Sequence, residues 1–229
     1  MNNTRYKYTM LIASLPAHQL DLFIGEQMPI SRIQLNKRLV LLEEQDKVDL
    51  AHVEHLQKWS QHTNVLDSEF IQKTEKTLAL IENDFVKQSL LWRLELRTIM
   101  SALRKRQQGQ SCPEDKNTLG FGKWPYFINK NWQQPDFGIG KQLPWVIEVD
   151  RFMRQGDTLG LENFLLKLIW NHYATLGNPH YFNFEAVVIY VLRWDVIRRR
   201  ASYDKDKAQL RFDELVQSGL KAIDIQTQH

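Results

Sequence analysis

The stretch FNFEAVVIYVLRWDVIRRR, residues 182–200, decides the fold class of this chain. It is strongly apolar and ends in three consecutive arginines, Arg198, Arg199 and Arg200. A second apolar stretch, LENFLLKLIWNHYATL, precedes it at residues 161–176. Neither stretch shows the strict alternation that is typical of a half-buried strand. The pair predicts two helices that offer packing and docking surface but contain no recognisable reactive group.

Helical patterns also cover the first half of the chain. A Pro-Ile-Ser sequence opens a predicted helical pair over about residues 31–60, because apolar residues recur there at helical intervals. The same period continues over residues 67–108, where Asn83 and Asp84 are the expected break. Residues 8–15 are the one candidate strand, and they have no obvious partner strand. The pattern in this half therefore predicts long helices, which can serve as rigid struts.

Residues 109–144 have a different composition. They hold five of the ten glycines and four of the seven prolines, which interrupt helices. They also contain six aromatic residues, which disordered linkers usually lack. The segment is therefore expected to be an irregular connection that lies folded on the helices. It divides the chain into predicted parts 1–108, 109–144 and 145–229.

Helices are predicted again after this connection. The expected N-caps are Asp157 and Asp204, and Gly177-Asn178-Pro179 is the expected stop. The predicted helices of this part cover residues 145–155, 158–176, 182–202 and 205–218. The expected fold is all-α, with elongated helical bundles on either side of an irregular connection.

Composition excludes several classes of protein. The formal net charge of +3 is too small to favour nucleic acid as the main partner. Cys112 is the single cysteine, so no intrachain disulfide can form, and a reducing compartment is expected. Residues 8–15 are short for an export signal and run directly into Pro16. Residues 186–192 give only seven apolar positions before Arg193, whereas a membrane span needs about 18.

Three sequence patterns that could indicate a reactive or binding site have simpler explanations. His52, His55 and His62 lie near one side of a helix, but no cysteine or HExxH pattern accompanies them, so packing or solvated histidines are expected. The run at residues 138–141 fails as a phosphate loop, because the two remaining motif positions hold proline and glutamine. Cys112 has no neighbouring positive charge to activate it. The sequence therefore predicts no catalytic residue, no metal site and no cofactor.

The arginines around the end of the apolar stretch are the candidate partner-docking residues. The helix dipole accounts for one or two cations at a helix C-terminus, and each contributes up to about 1 kcal/mol. Three consecutive arginines point in three directions, so at most two serve any one surface. Structural and docking roles both remain open for Arg193, Arg198, Arg199 and Arg200. Solvation is expected for the arginines of the long helical segment, namely Arg93, Arg97, Arg104 and Arg106.

The order of four blocks resembles the C subunit of V-type and A-type ATPases (called d in eukaryotes), in a short bacterial branch. None of the blocks is a chemical motif, and together they cover about two thirds of the chain. The blocks are residues 8–17 (YTMLIASLPA), 29–42, 91–106 (LWRLELRTIMSALRKR) and 157–215, the last of which includes LIWNHY, NFEAVVIYVLRWDVIRRR and RFDEL.

This resemblance implies an all-helical, funnel-like, non-catalytic subunit at the cytoplasmic face of the inner membrane. Such a subunit sits on the membrane rotor ring, receives the central stalk and couples ATP turnover elsewhere to proton or sodium transport. The chain departs from this family because well-known members are longer and have three related subdomains, whereas it has room for about two. Residues 109–144 also do not correspond to a recognised feature of that family.

A free-standing helical binding or regulatory module is the alternative interpretation. In that case the aromatic residues of 109–144 would cover a ligand or peptide. This alternative would be favoured if the chain were a stable monomer that binds a small molecule and does not bind rotor subunits. An enzyme of unknown type is a third hypothesis, and it requires convergent polar side chains in a deep pocket.

Overall fold

The computed structural model describes residues 3–24, 28–58, 68–113 and 119–203. Over these ranges the backbone forms nine helices and no strand, which confirms the all-α class. The helices are α1 (Asn3–Ser14), α2 (Arg32–Leu39), α3 (Glu44–Lys58), α4 (Ser68–Leu80), α5 (Asp84–Gln107), α6 (Trp124–Lys130), α7 (Trp145–Gln155), α8 (Thr158–Gly177) and α9 (184–203).

Most of the predicted helix boundaries are confirmed. The Asn83 side chain caps α5 by accepting a hydrogen bond from the Val86 amide at 3.0 Å. The Asp157 carboxylate likewise accepts one from the Gly160 amide at 2.8 Å, at the start of α8. The stop after α8 falls at Gly177. Asp204 and the helix predicted over residues 205–218 lie outside the described residues.

The candidate strand at residues 8–15 is wrong, because residues 8–14 lie in α1 and Leu15 follows its end. Tyr8, Leu11 and Leu15 are buried, and their spacing of three and four residues places them on one helical face. Met10 is 65% exposed, although strict alternation would place it on the same side as Tyr8. The segment therefore buries its apolar residues with helical periodicity.

The described residues of the connection, 109–113 and 119–144, are folded, as expected, but they contain a helix that the composition did not indicate. Pro125 lies in the first turn of α6, where a missing amide hydrogen costs the helix nothing. Large side chains of the segment are buried, including Trp124, Trp132 and Phe137. Proline therefore begins a helix here instead of ending one.

The chain divides into two compact units that do not follow the predicted parts. The first holds the described residues of Leu41–Leu165, with Asn3 and Thr4, and the second holds those of Arg5–Val40 and 166–203. The predicted boundaries at 108/109 and 144/145 both lie inside the first unit.

Among the described residues, no helix is long and apolar enough to cross a membrane.

Helix α5 is the centre of the first unit and contacts α3, α6 and α7. One apolar cluster joins Phe70 and Ile71 of α4 to Leu94 of α5 and to Phe121. A buried carboxylate, Asp49, accepts hydrogen bonds from the two backbone amides that precede α5, at 3.1 and 3.4 Å. The connection between α4 and α5 is thus fixed to α3.

The expected solvation of the long-helix arginines is wrong for Arg97 and Arg106. Burial lowers the pKa of Arg97, with a smaller contribution from Arg104, and its guanidinium lies 5.1 Å from the Phe70 ring centre. Arg93 is half-buried, and Arg104 is exposed as expected. The reason is that α5 has neighbours on several sides, so long cationic side chains cross apolar surface before they reach a polar partner.

Arg106 fastens the connection 109–144 to α5 and α7. It pairs with Asp150 at 2.8 Å, and both side chains are only 14% exposed. Its guanidinium lies 4.3 Å from the ring centre of Phe137. Its Nη1 group also donates to the backbone carbonyls of Trp132 and Gln134, and its Nη2 group donates to that of Pro135.

Gly120 allows the same connection to approach α5 closely. The buried hydroxyl of Thr98 accepts a hydrogen bond from the Phe121 amide at 2.8 Å and donates one to the Leu94 carbonyl at 2.9 Å. Gly120 has a φ of +133°, and a Cβ at this position would meet the Thr98 side chain. The contact therefore requires glycine.

The second unit packs α1, α2 and the segment between them with α9 and the last part of α8. Two buried tryptophans hold that segment through their indole N–H groups. Trp194 donates to the Ile30 carbonyl at 2.8 Å, and Trp170 donates to the Leu20 carbonyl at 3.4 Å. The described residues of this segment, 15–24 and 28–31, lack regular structure, so these bonds position its backbone.

Candidate functional site

Two of the four candidate docking arginines contact the segment between α1 and α2. The Arg193 guanidinium lies 3.8 Å from the Trp170 ring centre and donates to the Gln19 carbonyl at 3.4 Å. Arg200 donates to the Leu22 carbonyl and lies 5.1 Å from the Phe23 ring centre. These arginines are seven residues apart, or about two helical turns, so they share one face of α9.

The other two arginines point elsewhere. Arg198 pairs with Asp195 at 2.6 Å, and 44% of its side chain remains exposed. Arg199 is half-buried, and its guanidinium lies 6.0 Å from the Tyr203 ring centre. An exposed pair at this spacing contributes about 0.3–0.5 kcal/mol, so Arg198 remains free to exchange its partner.

A cleft of about 510 Å³ opens in the second unit, between residues of α1, α8 and α9. Its lining includes His18, Tyr190 and Arg193, together with apolar side chains from all three helices. Among the residues that the structure describes, no aspartate or glutamate lines this cleft. Arg193 therefore supplies the one fixed charge of this cleft among the described residues.

The rings of His18 and Tyr190 stack in the cleft, with centres 4.1 Å apart and planes 17° apart. Burial, and secondly the charge of Arg193, lowers the pKa of His18 to about 3. Burial raises the pKa of Tyr190 to about 12, partly offset by Arg38. Burial also lowers the pKa of Arg193, but a guanidinium stays protonated in proteins. At neutral pH the site thus combines one cation with two uncharged rings.

Three residues that line this cleft each have one buried polar atom without a hydrogen-bond partner, namely His18 Nε2, Tyr190 Oη and Arg193 Nε. A buried group left without its hydrogen bond costs about 1–3 kcal/mol. Proteins keep such a cost mainly where a site uses the groups. This cleft is therefore the candidate functional site.

A family described as "protein of unknown function (DUF2764)" matches residues 42–222, more than three quarters of the chain. The chain belongs to this family. No curated protein and no solved structure matches the chain. For this DUF2764 member, the matched range includes Tyr190 and Arg193 but not His18.

The remaining candidates lie outside the cleft. His52 is half-buried and His55 is exposed, whereas His62 lies outside the described residues. Within the described ranges, no group of three or more His, Cys, Asp or Glu side chains could hold a metal ion. Burial raises the pKa of Cys112, against smaller opposing effects of Asn129 and Lys105. The thiol is therefore less ionised than a free cysteine.

In the glycine turn at residues 138–140, the backbone amides already donate to a carboxylate of the same chain. Asp136 accepts hydrogen bonds from the amides of Gly138 and Gly140, at 2.9 and 3.0 Å. These two amides would be needed to cradle a phosphate. The geometry agrees with the interpretation of this run as a turn.

Sequence reasoning identified Arg193 but missed His18 and Tyr190. His18 follows a helix in a short polar stretch, and Tyr190 lies inside an apolar run, so neither has a distinctive neighbour in sequence. They are brought together by the packing of segments about 170 residues apart. The spacing of Tyr190 and Arg193, three residues apart on a helix, was the one local signal available.

The low pKa of His18 predicts that acid destabilises the second unit. Below pH 6.5 the unfolded chain protonates this histidine, whereas the folded protein does not until pH approaches about 3. Folding stability is therefore lost as pH falls, by about 1 kcal/mol per pH unit. We expect His18→Phe to remove this dependence, so its stability should fall about 1–2 kcal/mol less than that of the wild type between pH 7 and 5. Urea titrations at both pH values measure this difference, and parallel losses in the two proteins would contradict the burial of a neutral His18.

Proposed function

We propose that this chain is a non-catalytic rotor and central-stalk adaptor of a bacterial V-type (A-type-like) ATPase. It would couple the shaft of the soluble catalytic head to the ion-translocating ring, from the cytoplasmic face of the inner membrane. The observation that carries the proposal is the order of the four sequence blocks, which resembles that of the V-type and A-type ATPase family described above. The described parts of these blocks lie mainly in five helices, namely α1, α2, α5, α8 and α9.

The helices support a mechanical role. Helix α5 has 24 residues, which corresponds to about 36 Å, and its contacts with three other helices resist bending. Helix α9 ends in exposed and half-buried cations that a partner with acidic groups could contact. Charge complementarity of this kind fixes orientation and speeds encounter. Central-stalk and rotor-ring subunits are the expected partners.

Co-purification tests this role directly. The full chain, tagged and expressed in its own host, should recover stalk and ring subunits of the ATPase, and the isolated chain should not hydrolyse ATP. A complete and coupled ATPase purified from cells that lack this protein would overturn the proposal.

A variant pair identifies the docking residues. Arg198→Glu combined with Arg199→Glu should reduce recovery of the partner subunits about tenfold, a loss near 1.4 kcal/mol, while the protein stays folded. Arg151→Glu is the matched control, because Arg151 is also an exposed arginine paired with a carboxylate three residues away. Arg200 is left intact because it contacts Leu22 and Phe23. Equal recovery by the double variant and the control would remove α9 from the docking surface.

A free-standing binding module is the second candidate function, and the cleft favours it. The aromatic connection 109–144 is less suited to cover a ligand, because Trp124, Trp132 and Phe137 are buried in the first unit. The residues that line the cleft instead include polar atoms that have no hydrogen-bond partner. A stable monomer that recovers no rotor subunits from its host would favour this second function.

A further inference from the structure

We propose that the cleft lined by His18, Tyr190 and Arg193 binds a small organic monocarboxylate with an apolar body. This inference is independent of the rotor role, because it rests on the cleft alone. Both can hold for the same molecule.

The charge of the cleft calls for an anion. Arg193 has one hydrogen bond in the described structure, to the Gln19 carbonyl at 3.4 Å, which is long for a guanidinium donor. No described carboxylate forms an ion pair with it, and its Nε is buried without a partner. A half-buried cation in this state gains more from an anion than an exposed arginine does, because little water screens it.

Arg193 is also held in a fixed orientation. Its guanidinium lies 3.8 Å from the centre of the Trp170 ring, close enough for a strong cation–π contact. Trp170 is itself buried and donates to the Leu20 carbonyl. Preorganised guanidinium edges suit the planar, two-oxygen geometry of a carboxylate.

The two uncharged rings set the charge and polarity of the ligand. With a pKa of about 3 for His18 and about 12 for Tyr190, neither adds charge near neutral pH. A single cation matches a single negative charge, whereas phosphate-rich ligands usually meet several cations. The Tyr190 hydroxyl and the His18 ring nitrogen can each supply one hydrogen bond to an oxygen atom after a small movement of the rings.

The size and lining of the cleft define the body of the ligand. A volume of about 510 Å³ lies within the range of small-molecule sites, about 300–1,000 Å³. Ile12, Ala174, Ala186 and Ile189 form apolar walls. Tyr181 also lines the cleft, and 69% of it is exposed. An aromatic or aliphatic body therefore fits beside the polar group.

The test uses benzoate, 3-phenylpropanoate and 4-phenylbutyrate, each with its uncharged amide as the matched control. Ligand-observed NMR and calorimetry on the full chain should show saturable binding of at least one acid. That acid should bind at least about tenfold tighter than its amide, since the amide leaves the cation without an anion. Absence of saturable binding by all three acids at millimolar concentration, or equal affinities for acid and amide, would overturn the proposal.

Three variants locate the binding. Arg193→Gln should weaken binding of the tightest-binding acid at least about tenfold and leave binding of its amide unchanged. Ala174→Leu should weaken binding of both the acid and its amide, because it adds bulk to an apolar wall of the cleft while Arg193 is kept. Arg151→Gln should bind like the wild type, since Arg151 pairs with Glu148 and does not line the cleft.

Circular dichroism checks that each variant is folded. If Arg193→Gln is unfolded, the Ala174→Leu variant decides the question. Unchanged acid affinity in a folded Arg193→Gln or Ala174→Leu protein would place the binding elsewhere and refute the site.

Discussion

Arg106→Met is expected to destabilise the first unit by about 3 kcal/mol. The change leaves Asp150, which is 14% exposed, without the more buried of its two arginine partners. It also removes the donors that satisfy three backbone carbonyls of the connection 109–144 and the contact with the Phe137 ring. The expected loss lies at the lower end of the range for breaking a buried pair, because Arg154 still contacts Asp150 at 2.7 Å.

Urea unfolding followed by circular dichroism and tryptophan fluorescence measures this loss. Arg151→Met is the matched control, since its pair with Glu148 is exposed, and it should cost less than about 1 kcal/mol. Arg106→Met combined with Asp150→Leu should recover part of the stability, because no buried charge is then left alone. Equal costs for the Arg106 and Arg151 variants would mean that the buried pair does not hold the connection.

Gly120→Ala is expected to cost roughly 3 kcal/mol, for two reasons that act together. The φ of +133° is unfavourable for any residue with a Cβ, and the added methyl group would meet the buried Thr98 side chain. Thr98 cannot move away without losing its hydrogen bond from the Phe121 amide. The same denaturant titration measures the change in the free energy of unfolding.

Gly109→Ala separates the two reasons. Gly109 also has a positive φ, +73°, but a Cβ there would meet no atom within 4 Å. Its replacement should therefore cost only about 1 kcal/mol, the backbone part of the effect. If the two alanine variants are equally stable, the close approach of Gly120 to Thr98 does not contribute.

The helices were predictable because their signals are local. Apolar residues three and four positions apart and a capping side chain at Asn83 lie within a few residues of the boundaries they set. The same information misled only where it was short, as in residues 8–15, where eight residues did not separate alternation from helical periodicity. Pro125 was ambiguous for a related reason, since proline both ends and begins helices.

The candidate site was much less predictable, because it depends on distant partners. The sequence marked Arg193 as a cation at the end of an apolar stretch, but Trp170 and Gln19 give it its orientation. Nothing near Arg106 indicates that Asp150, 44 residues later, will meet it inside the first unit. Burial of a charged or aromatic polar group is a property of the packed chain, and local patterns do not encode it.

The two-part composition of the second unit has a consequence for synthesis of the protein. Residues 5–40 leave the ribosome more than 120 residues before the partner segments of α8 and α9. At about 5–20 residues per second, the delay is on the order of ten seconds. During that time Leu11 and Leu35, which are fully buried in the finished protein, lack residues 166–203, which complete their unit. Residues 5–40 therefore expose apolar surface during synthesis, and a chaperone that covers such surface would protect them.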